Sequence, residues 1–388
     1  MFSACSVLLL TGWLGLARIL AHETPRTALS LNPLDDSSAR RVLLSELGRL
    51  KKPQDAVRLL PLAESLVSIA PIDARSHSLK AQILFLLQQP ARAQASLETA
   101  LKLAQTDLMG LSLDYQRAVV GADYQKAVAR LDILYRRWPN NTKNLLPWTN
   151  AMVSDPAGYA NLRTVLAQNP PWRATIVRQF MDDERTSDTG YRLAFDLAQA
   201  NGRAGRPKRD KTVEYALRRL FQQERYDLAH NLFLFTLDEQ EIGLNGYIFD
   251  PQFQRPPSGL PFFWDARDTN ASTVSYRPAT DGDGDATPSH LSIRFLDKPV
   301  RWAGLQKSMR LPSGAYRLTL RSRAVDLRAP KGLSGVVKCI SQNRAILRFD
   351  IPLDNPQFAD KSVDFSVPEN CTYARFQVAA TEAVSGFR

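Results

Sequence analysis

The chain contains 388 residues, of which 44% are hydrophobic and 9% aromatic, and 50 Lys and Arg against 39 Asp and Glu give it a net charge of +11. The apolar content excludes a largely disordered chain, and the length predicts two domains. No paired zinc ligands, RNA-binding aromatic motif or helix-turn-helix pattern accompanies the basic charge, so no nucleic-acid partner is predicted. The charge is typical of a solvated surface, and it would also suit an anionic polysaccharide.

The N-terminal segment is uncharged and strongly apolar from Met1 to Ala17. This pattern predicts a signal peptide or membrane anchor over residues 1–21. The protein would then be periplasmic, or anchored in the inner membrane and facing the periplasm. Export signals place basic residues before the apolar run, whereas Arg18 follows it here. A buried first helix is the alternative.

A 34-residue period is the strongest pattern in the N-terminal half. Residues of similar type recur at this step in four series: Leu59, Ala93 and Ala127; Ala63, Leu97 and Leu131; Leu66, Ala100 and Leu134; Pro71, Gln105 and Pro139. The period is that of the tetratricopeptide repeat (TPR), a helix pair that stacks with its neighbours into a solenoid. Three repeats are therefore predicted between residues 38 and 140. Small residues and turn prolines are expected at the repeat contacts, namely Ala81, Ala93, Ala100, Ala127, Pro71 and Pro139.

Between residues 155 and 240 the apolar pattern stays helical but leaves the 34-residue register. Proline and glycine breaks divide this stretch into pairs, so a solenoid of increasingly degenerate hairpins is predicted over residues 38–240. The basic segment Arg203–Lys211 is interpreted as a solvated loop between helices, and contact with an acidic partner is the alternative.

After Gly243 the apolar period falls to two. Four segments alternate between apolar and polar residues and predict half-buried antiparallel strands, at 291–295, 316–320, 347–351 and 363–367. Short strands at this spacing predict a β-sandwich of jelly-roll type over residues 243–388. The predicted fold class is therefore α+β and multidomain, a TPR-like α-solenoid followed by an antiparallel β-sandwich.

Two cysteines of the C-terminal region, Cys339 and Cys371, each lie beside a predicted strand. An isolated pair fits one disulfide of an exported domain. It would close a loop of about 30 residues and contribute about 3–4 kcal/mol in the chain-entropy model. Two ordinary buried thiols are the alternative.

Seven short motifs, distributed over nearly the whole chain, carry a family resemblance: Pro71–Arg75, Arg136–Pro139, Pro171–Arg173, Asn245–Gly246, Pro261–Trp264, Gly314–Leu318 and Val367–Cys371. They resemble proteobacterial proteins encoded with exopolysaccharide and capsule genes, which combine a signal or anchor, TPR-like helices and a galactose-binding-like sandwich. The resemblance implies export and a part in polysaccharide production. It implies no catalytic chemistry.

Residues for catalysis or cofactor binding are sparse. The four histidines are neither paired at metal spacing nor close to a Ser or Cys nucleophile motif, and no glycine-rich phosphate loop occurs. No cofactor is predicted. The leading hypothesis is a non-enzymatic envelope adaptor whose helices bind a protein of a polysaccharide assembly or export machine. Carboxylate pairs for glycoside hydrolysis have no local signature, so a hydrolase or lyase with its site in the sandwich is one alternative. A cytoplasmic TPR scaffold is the other.

A structural calcium site is hypothesised at Asp281, Asp283 and Asp285, because alternating carboxylates on a glycine-rich loop supply the oxygen ligands that Ca²⁺ prefers. The segment is not an EF-hand, since Ala286 and Ser292 stand where Gly and Glu are required. A solvated acidic turn is the alternative.

A glycan site is hypothesised at four aromatic residues, Phe263, Trp264, Trp302 and Tyr373. Flat rings stack on the C–H faces of sugars, and polar neighbours then bind the hydroxyl groups. Aromatic residues within strands are more often part of the core, so sandwich packing is the alternative.

Overall fold

The computed structural model describes residues 13, 15, 18–269, 272–279, 289–296, 303–329, 332–353, 355–380 and 385–386. The chain forms two compact units, the first reaching to Trp172 and the second beginning at Arg173. Within the described ranges, no helix is both long enough and apolar enough to cross a bilayer. Most of the predicted signal or anchor segment, 1–21, lies outside these ranges, so that assignment stays a prediction.

The first unit is built from helical hairpins. Its helices are α1 (Pro25–Leu31), α2 (Asp36–Arg49), α3 (Leu60–Ile69), α4 (Ala74–Leu86), α5 (Pro90–Leu103), α6 (Leu108–Val120), α7 (Tyr124–Arg137), α8 (Leu146–Ser154) and α9 (Pro156–Ala167). Two 3-10 segments, Pro53–Leu59 and Pro139–Leu145, precede α3 and α8.

The 34-residue period sets the helix boundaries. Helices α4 and α6 begin 34 residues apart, and so do α5 and α7. Asp73 and Asp107 stand at equivalent positions and accept a backbone N–H at the start of α4 and of α6. Within each pair the turn has one residue at positive φ, 55° at Gln88 and 56° at Ala122. The repeated geometry confirms the predicted TPR-like hairpins.

The small residues of the repeats are fully buried. Ala81, Ala93, Ala100 and Ala127 each have 0% exposed surface. Ala81 and Leu97 belong to the same core cluster. A side chain larger than alanine at position 81 would push the two helices apart. The two turn prolines are exposed: Pro71 lies between α3 and α4, and Pro139 opens a 3-10 segment.

The repeats continue one hairpin further than the sequence period indicates. The buried hydroxyls of Tyr115 and Thr149, residues 34 apart, lie 2.8 Å from each other. Helices α8 and α9 pack as a fourth pair, and Gly158 lets α9 approach the Met152 carbonyl. The first turn of this pair, Pro139–Leu145, is 3-10 rather than α-helical.

The second unit begins with five helices, α10 (Arg173–Asp182), α11 (Ser187–Arg203), α12 (Lys211–Gln222), α13 (Tyr226–Thr236) and α14 (Glu239–Ile242). The turn between α12 and α13 repeats the geometry of the first unit, with Glu224 at φ 60° and the Arg225 amide bonded to the Leu220 carbonyl. The predicted degenerate hairpin is therefore present in this stretch.

The strands of the second unit are all antiparallel. They are β1 (Trp264–Ala266), β2 (Ser272–Arg277), β3 (His290–Phe295), β4 (Leu305–Arg310), β5 (Gly314–Ser322), β6 (Leu327–Arg328), β7 (Leu333–Cys339), β8 (Arg344–Ile351), β9 (Ala359–Val367), β10 (Tyr373–Ala379) and β11 (Ser385–Gly386). Five of them form one sheet in the order β1-β4-β10-β7-β8, and the others pair as β2–β3, β5–β9 and β6–β11. Apolar side chains of β3, β5 and β9 pack against the core of the five-stranded sheet. This arrangement confirms the predicted fold class, a solenoid followed by a sandwich.

Cys339 and Cys371 form the predicted disulfide, with their Cα atoms 5.4 Å apart. Cys339 ends β7, and Cys371 precedes β10, which pairs with β7. Both cysteines are fully buried, so the disulfide lies in the core and joins the end of β7 to the residues just before β10.

The compact units do not divide where the secondary structure changes. Helices α10–α14 belong to the same unit as the strands, whereas the sequence assigns residues 38–240 to one domain and 243–388 to another. The physical reason is that aromatic rings of α12 and α13 contact the segment before the strands. Phe221 and Phe233 each contact Phe262, which lies two residues before the first strand.

Candidate functional site

A pocket of about 240 Å³ opens in the first unit between α6 and the 3-10 segment 139–145. Small-molecule sites usually measure about 300–1,000 Å³, so this pocket suits a single side chain of a partner better than a cofactor. Its lining comes from α6, the end of α7 and the 3-10 segment: Leu108, Ser112, Gln116, Leu134, Trp138, Asn141, Thr142, Asn144 and Leu145.

The repeat geometry explains where the pocket lies. Leu108, Ser112 and Gln116 follow one another at four-residue steps and share one face of α6. The second and third repeats begin with an α-helical turn that an aspartate caps, whereas the fourth begins with the 3-10 segment. The pocket lies where this irregular segment faces α6.

The chemistry of the lining favours binding over catalysis. Three leucines and Trp138 supply apolar surface, and three side-chain amides supply hydrogen-bonding groups. The hydroxyls of Ser112 and Thr142 already donate to backbone carbonyls, at 2.7 and 2.8 Å. Since the described lining contains no titratable side chain, it offers no general acid or base.

Two cations are sequence neighbours of residues that line the pocket. The Arg137 guanidinium lies 5.8 Å from the ring of Trp138, a lining residue. Lys143 lies between two lining residues, and both cations are exposed. Neither forms an ion pair with any residue in the described part of the chain. A partner segment with acidic residues near an apolar side chain would therefore match this surface.

The predicted glycan residues are buried, which does not agree with the sugar-stacking hypothesis. Phe263, Trp264 and Tyr373 are each 7% exposed. The Trp264 indole N–H donates to the Asp250 carbonyl at 2.7 Å, and the ring contacts Phe376 in the core. Because the rings face protein, a sugar cannot reach them in this arrangement, and they match the core alternative. Trp302 lies outside the described residues.

The three residues of the calcium hypothesis, Asp281, Asp283 and Asp285, also lie outside the described residues. The hypothesis therefore stays untested. Over the ranges that the structure does describe, no group of three or more His, Cys, Asp or Glu is placed to hold a metal ion.

The basic segment Arg203–Lys211 takes part in packing as well as facing solvent. Arg209 forms an ion pair with Glu241 at 2.6 Å and stacks on Phe263 at 4.4 Å. The Lys208 ammonium lies 5.5 Å from the ring of Phe235. Part of the positive charge is therefore committed within the second unit.

Sequence reasoning missed a polar cluster between α13 and the sandwich. The Tyr373 hydroxyl donates to Asp227 at 2.7 Å, and burial is the main cause that raises the pKa of this phenol. His230 lies one turn after Asp227, and burial is the main cause that lowers its pKa to about 4. The members come from distant segments and have no local signature. No Ser or Cys nucleophile contacts the imidazole among the described residues, so the cluster is not a nucleophilic triad.

A lysine buried in the sandwich, Lys307, was also missed. It is 1% exposed, and its ammonium lies 4.9 Å from the ring of Phe249 and 5.2 Å from that of Trp264. Burial lowers its pKa well below the ordinary value, and the charge of Asp250 opposes that effect. In the described part of the chain its amine has no hydrogen-bond partner. Because the amine is buried without a hydrogen-bond partner, we expect its main effect to be on stability.

The chain matches no protein-family model and no curated protein sequence. Among solved structures, one described as "Functional Characterization of Pseudomonas Aeruginosa pilF" is 15% identical. The match covers 56% of this chain and 96% of that chain with a TM-score of 0.26. A likeness this low carries no argument, so the fold assignment rests on the helices and strands themselves.

Proposed function

We propose that the protein is a non-enzymatic adaptor whose helical repeats bind a protein partner through the pocket between α6 and segment 139–145. The observation that carries this proposal is an open pocket within a stack of helical hairpins, lined by apolar and amide side chains without a titratable group. Stacked helical repeats commonly present such surfaces to other proteins.

The proposal extends to polysaccharide production in the cell envelope. Support comes from the family resemblance of the sequence motifs and from the net charge of +11. The partner would belong to a polysaccharide assembly or export machine, and the sandwich would bind glycan or a second protein. The segment 1–21 would direct the protein to the periplasm or anchor it in the inner membrane. A structural calcium site is also proposed, at Asp281, Asp283 and Asp285.

The test is complementation of a strain that lacks the gene. Gln116→Trp fills the pocket, whereas the matched control Gln125→Trp places the same ring on the exposed surface of α7. We expect the control to restore the amount and chain length of secreted polysaccharide and Gln116→Trp to restore neither, while both variants keep the wild-type melting temperature. Full restoration by Gln116→Trp would contradict the role of the pocket. Unaltered polysaccharide in the deletion strain would contradict the role in polysaccharide production.

A further inference from the structure

His230 lies within the contact between α13 and the sandwich. Its imidazole is half-buried, and its ring centroid is 5.1 Å from Phe262, 5.9 Å from Phe233 and 6.2 Å from Tyr373. These rings come from the segment before β1, from α13 itself and from β10. Among the described residues the imidazole has no hydrogen-bond partner. A proton on this ring would add a positive charge to a contact that is formed mainly by aromatic rings.

The charged groups around His230 act in opposite directions. Asp227 lies three residues earlier on α13 and binds the Tyr373 hydroxyl at 2.7 Å, so its charge is partly used by that bond. Arg310 of β4 stands directly opposite Tyr373 in the sheet and repels a second positive charge. Further along β10, the Arg375 guanidinium lies 6.0 Å from the ring of Phe221 on α12. The segment before β1 contributes the uncharged Phe262.

These surroundings determine how the contact responds to pH. The pKa of His230 is lowered from 6.5 to about 4, mainly by burial and secondly by the charge of Arg310. The charge of Asp227 opposes both effects. A released imidazole regains the ordinary value. Above pH 6.5 neither state binds the proton, and the contact keeps its full stability. As the pH falls from 6.5 towards 4 only the released state binds it, so the closed contact loses stability over this range.

We propose that the contact of α12 and α13 with the sandwich is a pH-sensitive device, in which protonation of His230 releases the two helices from the strands. The release exposes the rings of Phe262 and Tyr373, which are buried in the closed form. This device is independent of the pocket in the first unit, and it stands whether or not the adaptor proposal holds.

Hydrogen–deuterium exchange of the full chain at pH 7 and pH 5, corrected for the intrinsic pH dependence of exchange, tests the proposal. We expect peptides of α13 and β10 in the wild type to exchange several-fold faster at pH 5, because the half-buried His230 has a lowered pKa in the closed contact. His230→Phe keeps a ring that cannot bind a proton and should lose this acceleration. His77→Phe, in the first unit, should behave as the wild type.

A second variant keeps the proposal testable if His230→Phe disturbs the packing. Arg310→Gln removes the repelling charge and raises the pKa of His230 in the closed contact, which brings it nearer to the value of the released imidazole. The acceleration at pH 5 should therefore be smaller than in the wild type. Equal acceleration in the wild type and in a well-folded His230→Phe would overturn the proposal. So would an Arg310→Gln variant whose release follows the wild-type pH profile.

Discussion

At the scale of single residues, the sandwich core contains Lys307, an amine whose charged form is disfavoured by burial. Lys307→Met keeps a flexible chain of similar length and removes the amine. We expect this change to raise the free energy of unfolding at pH 7 by about 1–3 kcal/mol, the usual cost of a buried polar group that has no hydrogen-bond partner. The measurement is urea unfolding followed by circular dichroism. The exposed Lys361→Met on β9 is the matched control and should have little effect.

The same residue predicts a pH dependence. Because burial lowers the pKa of Lys307 in the folded state, the unfolded chain binds more protons than the folded chain between that lowered value and the ordinary value of about 10.4. Wild-type stability should therefore gain a contribution that increases with pH in this range and is absent in Lys307→Met. A Met variant that is less stable than the wild type at pH 7 would show that the amine is favourable where it lies.

Gly335 on β7 provides a second residue-scale prediction. It stands opposite Phe349 of β8, and a methyl group at Gly335 would overlap the Phe349 ring. Gly335→Ala should therefore lower the free energy of unfolding by about 1–3 kcal/mol through overpacking. Gly48→Ala is the control, since nothing lies within 4 Å of the added methyl in α2 and helix propensity favours alanine. Equal stability of the two variants would contradict this account of the core.

Individual residues also show what local sequence cannot predict. The aromatic residues Phe263 and Trp264 are recognisable in the sequence, but their environment is not. Their burial depends on partners that are distant in the chain, such as Phe233 on α13 and Phe376 on β10. The cysteine pair was predictable because the two residues form an isolated pair in the C-terminal region and each lies beside a predicted strand.

At the scale of helices, the small residues of α5 provide the sharpest prediction. Ala100 is fully buried, whereas Ala95 on the same helix is exposed. Ala100→Leu should lower the free energy of unfolding by about 1–3 kcal/mol because the added atoms separate packed helices. Ala95→Leu should change it by less than about 0.5 kcal/mol. Thermal and urea unfolding of both variants measure the difference, and a stable Ala100→Leu would argue against close helix contact at this position.

The helices also show where a periodic pattern stops being informative. The 34-residue period predicts the bounds of α4 to α7 because each repeat uses the same caps and turns. The fourth hairpin lies within the solenoid that the sequence predicts over residues 38–240, but the pattern does not reveal its 3-10 opening, 139–145. This irregular turn forms the wall of the pocket. The candidate site therefore could not be derived from a pattern that relies on regular helices.

At the scale of the whole molecule, the two units carry different parts of the account. The first contains the pocket, and the second combines α10–α14 with the disulfide-linked sandwich. The change of period near residue 243 marks a change of secondary structure. It does not mark the compact division, because long-range ring contacts join α12 and α13 to the strands. Such contacts leave no trace in local composition.

The central claim is that the helical repeats bind a protein partner through the pocket beside α6. Site-specific photo-cross-linking in living host cells tests it most directly, with benzoylphenylalanine placed at Gln116 in the pocket or at the exposed Gln125 on α7. The account predicts one protein adduct from position 116, at least tenfold stronger than any adduct from position 125. It also predicts that the cross-linked protein is a component of polysaccharide assembly or export. No adduct from position 116, or equal adducts from both positions, would contradict the claim.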